Sequence, residues 1–218
     1  MNVLQIIKSR GLHESHVNIG RVGPYLLHIE SFQSLVDQKK VSDEIMDALF
    51  HLFTMTQPGV VAINTHTLTQ ILEGEARARS RYFTKRNIFE NINEIVGPYL
   101  EDGNHWTFFH CSLVDQTILY LNSLGEQDDQ YSKLAENWST FAASKGFQGP
   151  WKMIKRCHAL QNDSISCGVF TAVFAEAFLG GAKGYLACSP VQQERERLGL
   201  LLFSSLDRSG FCGICHFI

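Results

Sequence analysis

An α+β domain is predicted by three features in the order of the apolar residues. A helix-period stretch comes early, over residues 42–53; alternating segments from Glu94 to Asn122 fill the centre; further helical patterns occupy residues 167–206. The length of 218 residues fits one domain. Such a domain buries roughly 70% of its unfolded surface, enough for a core without staples. A domain over residues 25–206 is expected, preceded by an irregular extension (1–24) and followed by a short cysteine-containing tail (207–218).

The extension carries His13, His16 and a turn from Gly20 to Pro24, and Tyr25–Ile29 then reads as a strand. Ser42 caps a helix whose first residues, Asp43 and Glu44, suit the positive end of its dipole. Ile45, Met46, Leu49, Phe50 and Phe53 recur at helical spacing and face the core, and Gln57-Pro58-Gly59 ends the run. Val60–Ile63 is a short β-branched strand. Thr67–Ala78 reads as a helix with Leu68, Ile71 and Leu72 inward, its Arg77, Arg79 and Arg81 forming a solvated end.

Glu94–Leu100 and His105–Leu113 are strands about the turn Glu101-Asp102-Gly103-Asn104. Thr117–Asn122 pairs back after Val114-Asp115-Gln116, which brings Asn122 opposite the first half of the His105 strand. Tyr131, Leu134, Trp138 and Phe141 mark a helix, and Trp151–Leu160 a strand. Cys167–Leu179 is a buried helix closed by Gly180-Gly181, and Ser189-Pro190 starts a last helix that runs to Leu206.

Composition narrows the function. A net charge of −3 gives no electrostatic case for nucleic acid or an anionic membrane. No apolar run approaches the roughly 20 residues of a membrane helix, and Met1–Lys8 is too brief and polar for a signal peptide. A cytoplasmic or nuclear setting is expected, with the six irregularly spaced cysteines reduced.

The chemistry concentrates around Cys167. Helix-start N–H groups favour its thiolate, and a neighbouring imidazole would favour it further. Gln161, six residues earlier, offers an amide N–H to a developing oxyanion. His105, opening a strand after a glycine-containing turn, can act as base, and Asn122 can orient it by accepting from its ring, as Cys–His–Asn sets do on other folds. Cys212-Gly213-Ile214-Cys215-His216 matches a haem-attachment pattern and is better suited to a zinc half-site; the expectation is free tail thiols and no metal.

These residues together resemble the ubiquitin-like-protein-specific cysteine proteases, the SUMO-protease (sentrin-specific) group with its adenoviral relatives. The carriers are His105-Trp106, Asn122-Ser123-Leu124, and Gln161 followed by Ser166-Cys167-Gly168-Val169-Phe170, with an early segment at Leu35–Ile45. The resemblance spans residues 25–205. It implies a papain-like fold of the SUMO-protease and adenain type, with a central mixed sheet and helices on both sides. It implies a peptidase that needs no cofactor and cleaves after the C-terminal glycine of SUMO or a related protein. Trp106 and Gly168 then line the substrate channel.

Three positions depart from the family pattern. Asn122 stands for the usual Asp, with Asp115 or Asp128 as substitutes under another register; Ser166 replaces the Asp before the nucleophile; Lys40 replaces a Trp that forms the other channel wall. Two rival functions follow: a non-catalytic module derived from a transposon protease that binds a ubiquitin-like protein, and an acetyltransferase using the same residues.

Overall fold

The computed structural model describes residues 17–83, 91–188 and 190–209. His13, His16, Ser189 and the Cys212–His216 motif lie outside them. The chain builds β1 (Asn18–Val22), β2 (Tyr25–His28), α1 (Ile29–Val36), α2 (Asp43–Thr54), β3 (Val60–Ala62), α3 (Thr65–Leu72) and α4 (Ala76–Arg81). The second half adds β4 (Glu94–Glu101), β5 (His105–Ser112), β6 (Thr117–Leu121), α5 (Asp128–Ser144), β7 (Lys152–Ile154), α6 (Cys167–Leu179) and α7 (Val191–Ser204).

The central sheet has five strands in the order β3-β4-β5-β6-β7, with β1 and β2 as a separate hairpin. It is mixed: the β4–β5–β6 meander is antiparallel, while β3 and β7 add in parallel at either edge. Pro98 sits within β4, which is possible because β3 reaches only to Val96. Beyond that point Thr69 Oγ1 accepts the Leu100 N–H at 3.2 Å.

Two cores flank the sheet. On one face α1, α2, α6 and α7 pack with Val96, Trp106, Phe108, Leu119 and Leu121; on the other α3, α4 and α5 pack with Ile95, Tyr99, Phe109, Ile118 and Tyr120. Alternation along β4, β5 and β6 feeds both layers, so these strands are buried nearly throughout. Helix α6 is buried around most of its circumference between the sheet and α2. That burial fixes its first residue, Cys167, against the start of β5.

Several elements differ from expectation. Residues 18–22 are not irregular: Asn18–Val22 pairs with β2, and Arg21 also bridges Asp207, tying both ends of the domain together. The strand at residue 25 gives way to helix at Ile29, whose Ile29, Phe32, Leu35 and Val36 are buried. The helix expected over 67–78 is two helices, broken at Gly74, which adopts φ +77° with Asn137 packed against it. Of the strand expected over 151–160, residues 152–154 form β7 and His158 makes a single parallel bridge to Leu186. No helix of the described residues is long and apolar enough to cross a membrane.

Candidate active site

The turn Glu101–Asn104 delivers His105 as the first residue of β5, and β6 ends at Leu121 with Asn122 immediately after. Pairing of Phe108 with Leu121 carries Asn122 back alongside the β5 start. There His105 Nε2 lies 2.8 Å from Asn122 Oδ1. The ring also interacts with the Cys167 side chain, by hydrogen bond and by charge. Cys167, His105 and Asn122 therefore meet at the junction of α6, β5 and β6.

The electrostatics favour an ion pair. Burial alone would raise the Cys167 thiol; hydrogen bonds from His105 and the Trp106 backbone N–H, the His105 charge and the Gly168 N–H outweigh it, and the thiol is lowered. Burial would likewise lower His105, but bonds to Cys167 and Asn122 and the charges of Cys167 and Glu101 raise it. Thiolate and imidazolium stabilise each other.

Gln161 is held on both sides. Its Oε1 accepts from Ser123 Oγ at 2.6 Å, and its Nε2 donates to the Asp163 carbonyl at 2.6 Å, leaving the second amide proton uncommitted. Asp163 also shapes the turn before the cysteine: its carboxylate accepts the Ile165 and Ser166 N–H groups, each at 2.8 Å, and the Ser166 hydroxyl at 2.7 Å. Ser166 is thus a donor to Asp163, an Asx-turn anchor that the sequence motif did not show.

Trp106 is buried, with Nε1 donating to the Val41 carbonyl at 2.8 Å. Gly168 is required there by close approach. A Cβ on it would stand 2.8 Å from Val41 Cβ and 3.1 Å from Trp106 Cδ1. Lys40 reaches across to the Asn104 carbonyl at 3.2 Å and to its side chain, closing the loop before α2 against the turn that carries His105.

The substitutes considered for Asn122 stand elsewhere. Asp115 is held by Ser112 at the opposite end of β5, roughly 23 Å along the strand from His105. Asp128 pairs with Lys155 at 3.1 Å.

Two supports were not legible. Arg195 of α7, 1% exposed, donates to the carbonyls of Ser34, Leu35, Asp37 and Lys39 and to that of Ile165, two residues before Cys167. Glu126 accepts the Asn122 backbone N–H at 2.8 Å and pairs with His158 at 2.6 Å. A charge in a helical pattern, as at Arg195, or in a loop, as at Glu126, reads as solvated, so neither was distinguishable from a surface residue. Among the described residues no group of three His, Cys, Asp or Glu side chains is placed to hold a metal ion.

A buried thiol lowered by an imidazole at a helix start is the constellation of a thiol peptidase. The model of the Ulp1 protease family, C-terminal catalytic domain, matches residues 41–184, and the chain belongs to that family. It is a cysteine peptidase. The fold is similar to that of the C-terminal Ulp1 protease domain solved in complex with Smt3, the yeast ortholog of SUMO: TM-score 0.79, 14% identity, covering 93% of this chain and 92% of that one. It is also similar to the Ulp1-like SUMO protease catalytic domain of Chaetomium thermophilum, with TM-score 0.70, 16% identity and coverage of 93% and 87%. The Xanthomonas campestris effector XopD, solved bound to ubiquitin, matches at TM-score 0.52 and 14% identity, covering 75% of this chain and 91% of that one. A sequence search of curated proteins finds no match.

Proposed function

We propose that the protein hydrolyses the peptide or isopeptide bond after the C-terminal glycine of a ubiquitin-like protein, with SUMO the first candidate, through Cys167, His105 and Asn122. The observation that carries this reading is the His105 ring, 2.8 Å from Asn122 Oδ1 and interacting with Cys167, whose thiol it lowers while its own imidazole is raised. Similarity to a domain solved with Smt3 supports the substrate class.

In this mechanism the Cys167 thiolate attacks the glycine carbonyl carbon, having passed its proton to His105. The tetrahedral oxyanion is met by the Cys167 backbone N–H and the free Gln161 amide proton. The C–N bond then breaks as His105 returns its proton to the leaving amine, giving a thioester on Cys167. Water, deprotonated by His105, attacks that thioester and releases the free carboxylate and the thiol. Asn122 holds the imidazole in one orientation throughout, and Trp106 beside Gly168 forms the wall along which the tail lies.

Lys40 stands where the family pattern has an aromatic wall, and the loss of that wall is the reason side chains before the terminal glycine are tolerated more widely here. The test is release of a C-terminal fluorogenic amide from SUMO, a NEDD8-like protein and ubiquitin. Turnover of SUMO, abolished in Cys167→Ala, is expected. Undiminished turnover by folded Cys167→Ala overturns the mechanism, and ubiquitin turnover without SUMO turnover overturns the substrate.

A further inference from the structure

The amide at the third position is neutral, yet a carboxylate stands two hydrogen bonds behind it. Asn122 Nδ2 lies 3.2 Å from Tyr120 Oη, and Tyr120 Oη lies 2.9 Å from Glu101 Oε2. Strand geometry makes this alignment. Glu101 is the register partner of His105 across β4–β5, and Tyr120, in β6, precedes by two residues Asn122, which follows directly after the strand's end.

The direction of each bond follows from one unambiguous donor. The Leu124 backbone N–H donates to Asn122 Oδ1 at 2.8 Å, which fixes that atom as oxygen. His105 Nε2 must then carry a proton and donate to the same oxygen, leaving Nδ1 for Cys167. Asn122 Nδ2 can only donate, so Tyr120 Oη accepts from it and directs its own proton to Glu101. Gln130 Nε2 holds the other carboxylate oxygen at 3.0 Å.

We propose that Glu101, acting through Tyr120 and Asn122, is a positioning residue for His105 and supplies the anion that the third position lacks. The inference rests on the triad reading above. No proton moves along the chain. As the imidazolium forms, each bond polarises toward the carboxylate and strengthens. Burial and the Glu101 charge push the Tyr120 phenol well up, which keeps it a donor. Burial also raises Glu101, against the bonds from Tyr120 and Gln130 and the charge of His105. The other charged groups bearing on this carboxylate are Asp102, in the β4–β5 turn, and Lys133 of α5.

The experiment compares wild type with Glu101→Gln, Tyr120→Phe, Asn122→Asp and the double variant Glu101→Gln/Asn122→Asp. Two readouts are taken against pH: kcat/KM on a fluorogenic ubiquitin-like substrate, and alkylation of Cys167 by iodoacetamide, measured by intact mass. Glu101→Gln and Tyr120→Phe are expected to lower kcat/KM by roughly 5–30-fold and to move its basic limb down by about half a pH unit. With Asn122→Asp the anion sits beside His105 directly, so adding Glu101→Gln is expected to change kcat/KM by less than about twofold.

A Glu101→Gln profile that superimposes on wild type overturns the proposal, as does an equal loss in the Asn122→Asp background, which marks a structural role. Failure of the triad reading looks different. Wild-type Cys167 would then alkylate only in the ordinary thiol range, whatever stands at 101, and both readings would fall together.

Discussion

His105 Nε2 and Asn122 Oδ1 lie 2.8 Å apart, with the Leu124 backbone N–H also 2.8 Å from that oxygen. The amide is therefore locked by the main chain before it meets the imidazole. A locked acceptor fixes the tautomer and the ring orientation, the part of a third residue's work that needs no charge. The electrostatic part falls to groups further off, which places the Glu101 carboxylate and the Tyr120 hydroxyl in the same account as the triad.

Replacing Asn122 separates those two contributions. Asn122→Ala removes the acceptor and leaves the ring free to turn, so a loss of about 100-fold in kcat/KM is expected. Asn122→Asp keeps an acceptor and adds charge, so it is expected to match or exceed wild type and to extend activity to higher pH. Steady-state kinetics on one substrate across pH checks both.

Gly168→Ala is expected to destabilise the fold by about 1–3 kcal/mol, as overpacking does. The added Cβ would meet Val41 Cβ at 2.8 Å and Cγ2 at 2.9 Å, and neither is the end of a long side chain. Trp106 must shift with them, since its indole is tied to the Val41 carbonyl. Chemical denaturation gives the magnitude, and tryptophan emission reports the displaced ring.

Much of this architecture was legible in the sequence where the signal is local. Helix α6 begins at Cys167 and ends at Leu179 as its apolar run and Gly180-Gly181 indicate, and the β5–β6 hairpin brings Asn122 to His105 as its turn lengths require. Helix α1 was missed because Ile29 continues directly from a strand, with His28 offering no side-chain cap to mark the change. Arg195 and the Glu101–Tyr120 contact were missed for another reason. Their partners lie far away in sequence, and charge at a helical or strand-end position ordinarily means solvent.

Arg195 is expected to tolerate no replacement, lysine included. Its guanidinium reaches five carbonyls, three of them at 2.9 Å, from one buried position, and an ammonium cannot span them. Arg195→Lys leaves buried acceptors unpaired, for a cost of about 2–4 kcal/mol. Because one of those carbonyls belongs to Ile165, slower Cys167 alkylation in the variant at low temperature, where it remains folded, is also expected.

The Glu126–His158 pair gives a pH signature in stability. Burial would lower His158, but its bonds to Glu126 and the Ala159 carbonyl and the Glu126 charge raise it above 6.5; its contribution is full below 6.5 and lost as pH rises through the folded value. Burial would raise Glu126, but His158 and the Asn122 N–H lower it below 4.5; its contribution is full above 4.5 and lost as pH falls through the folded value. The pair therefore stabilises most between the two unfolded values, 4.5 and 6.5. His158→Gln is expected to flatten the decline above that window, read by denaturant midpoints across pH.

The most direct test of the central claim is covalent capture of Cys167 by a ubiquitin-like protein ending in a vinyl or propargyl electrophile. SUMO, NEDD8-like and ubiquitin probes are compared by intact mass and peptide mapping. The account predicts a stoichiometric SUMO adduct on Cys167, lost in Cys167→Ala and slowed in His105→Ala. Folded wild-type protein that forms no adduct with any probe, while binding SUMO reversibly, would contradict it and mark the chain as a module that holds its partner without cutting it.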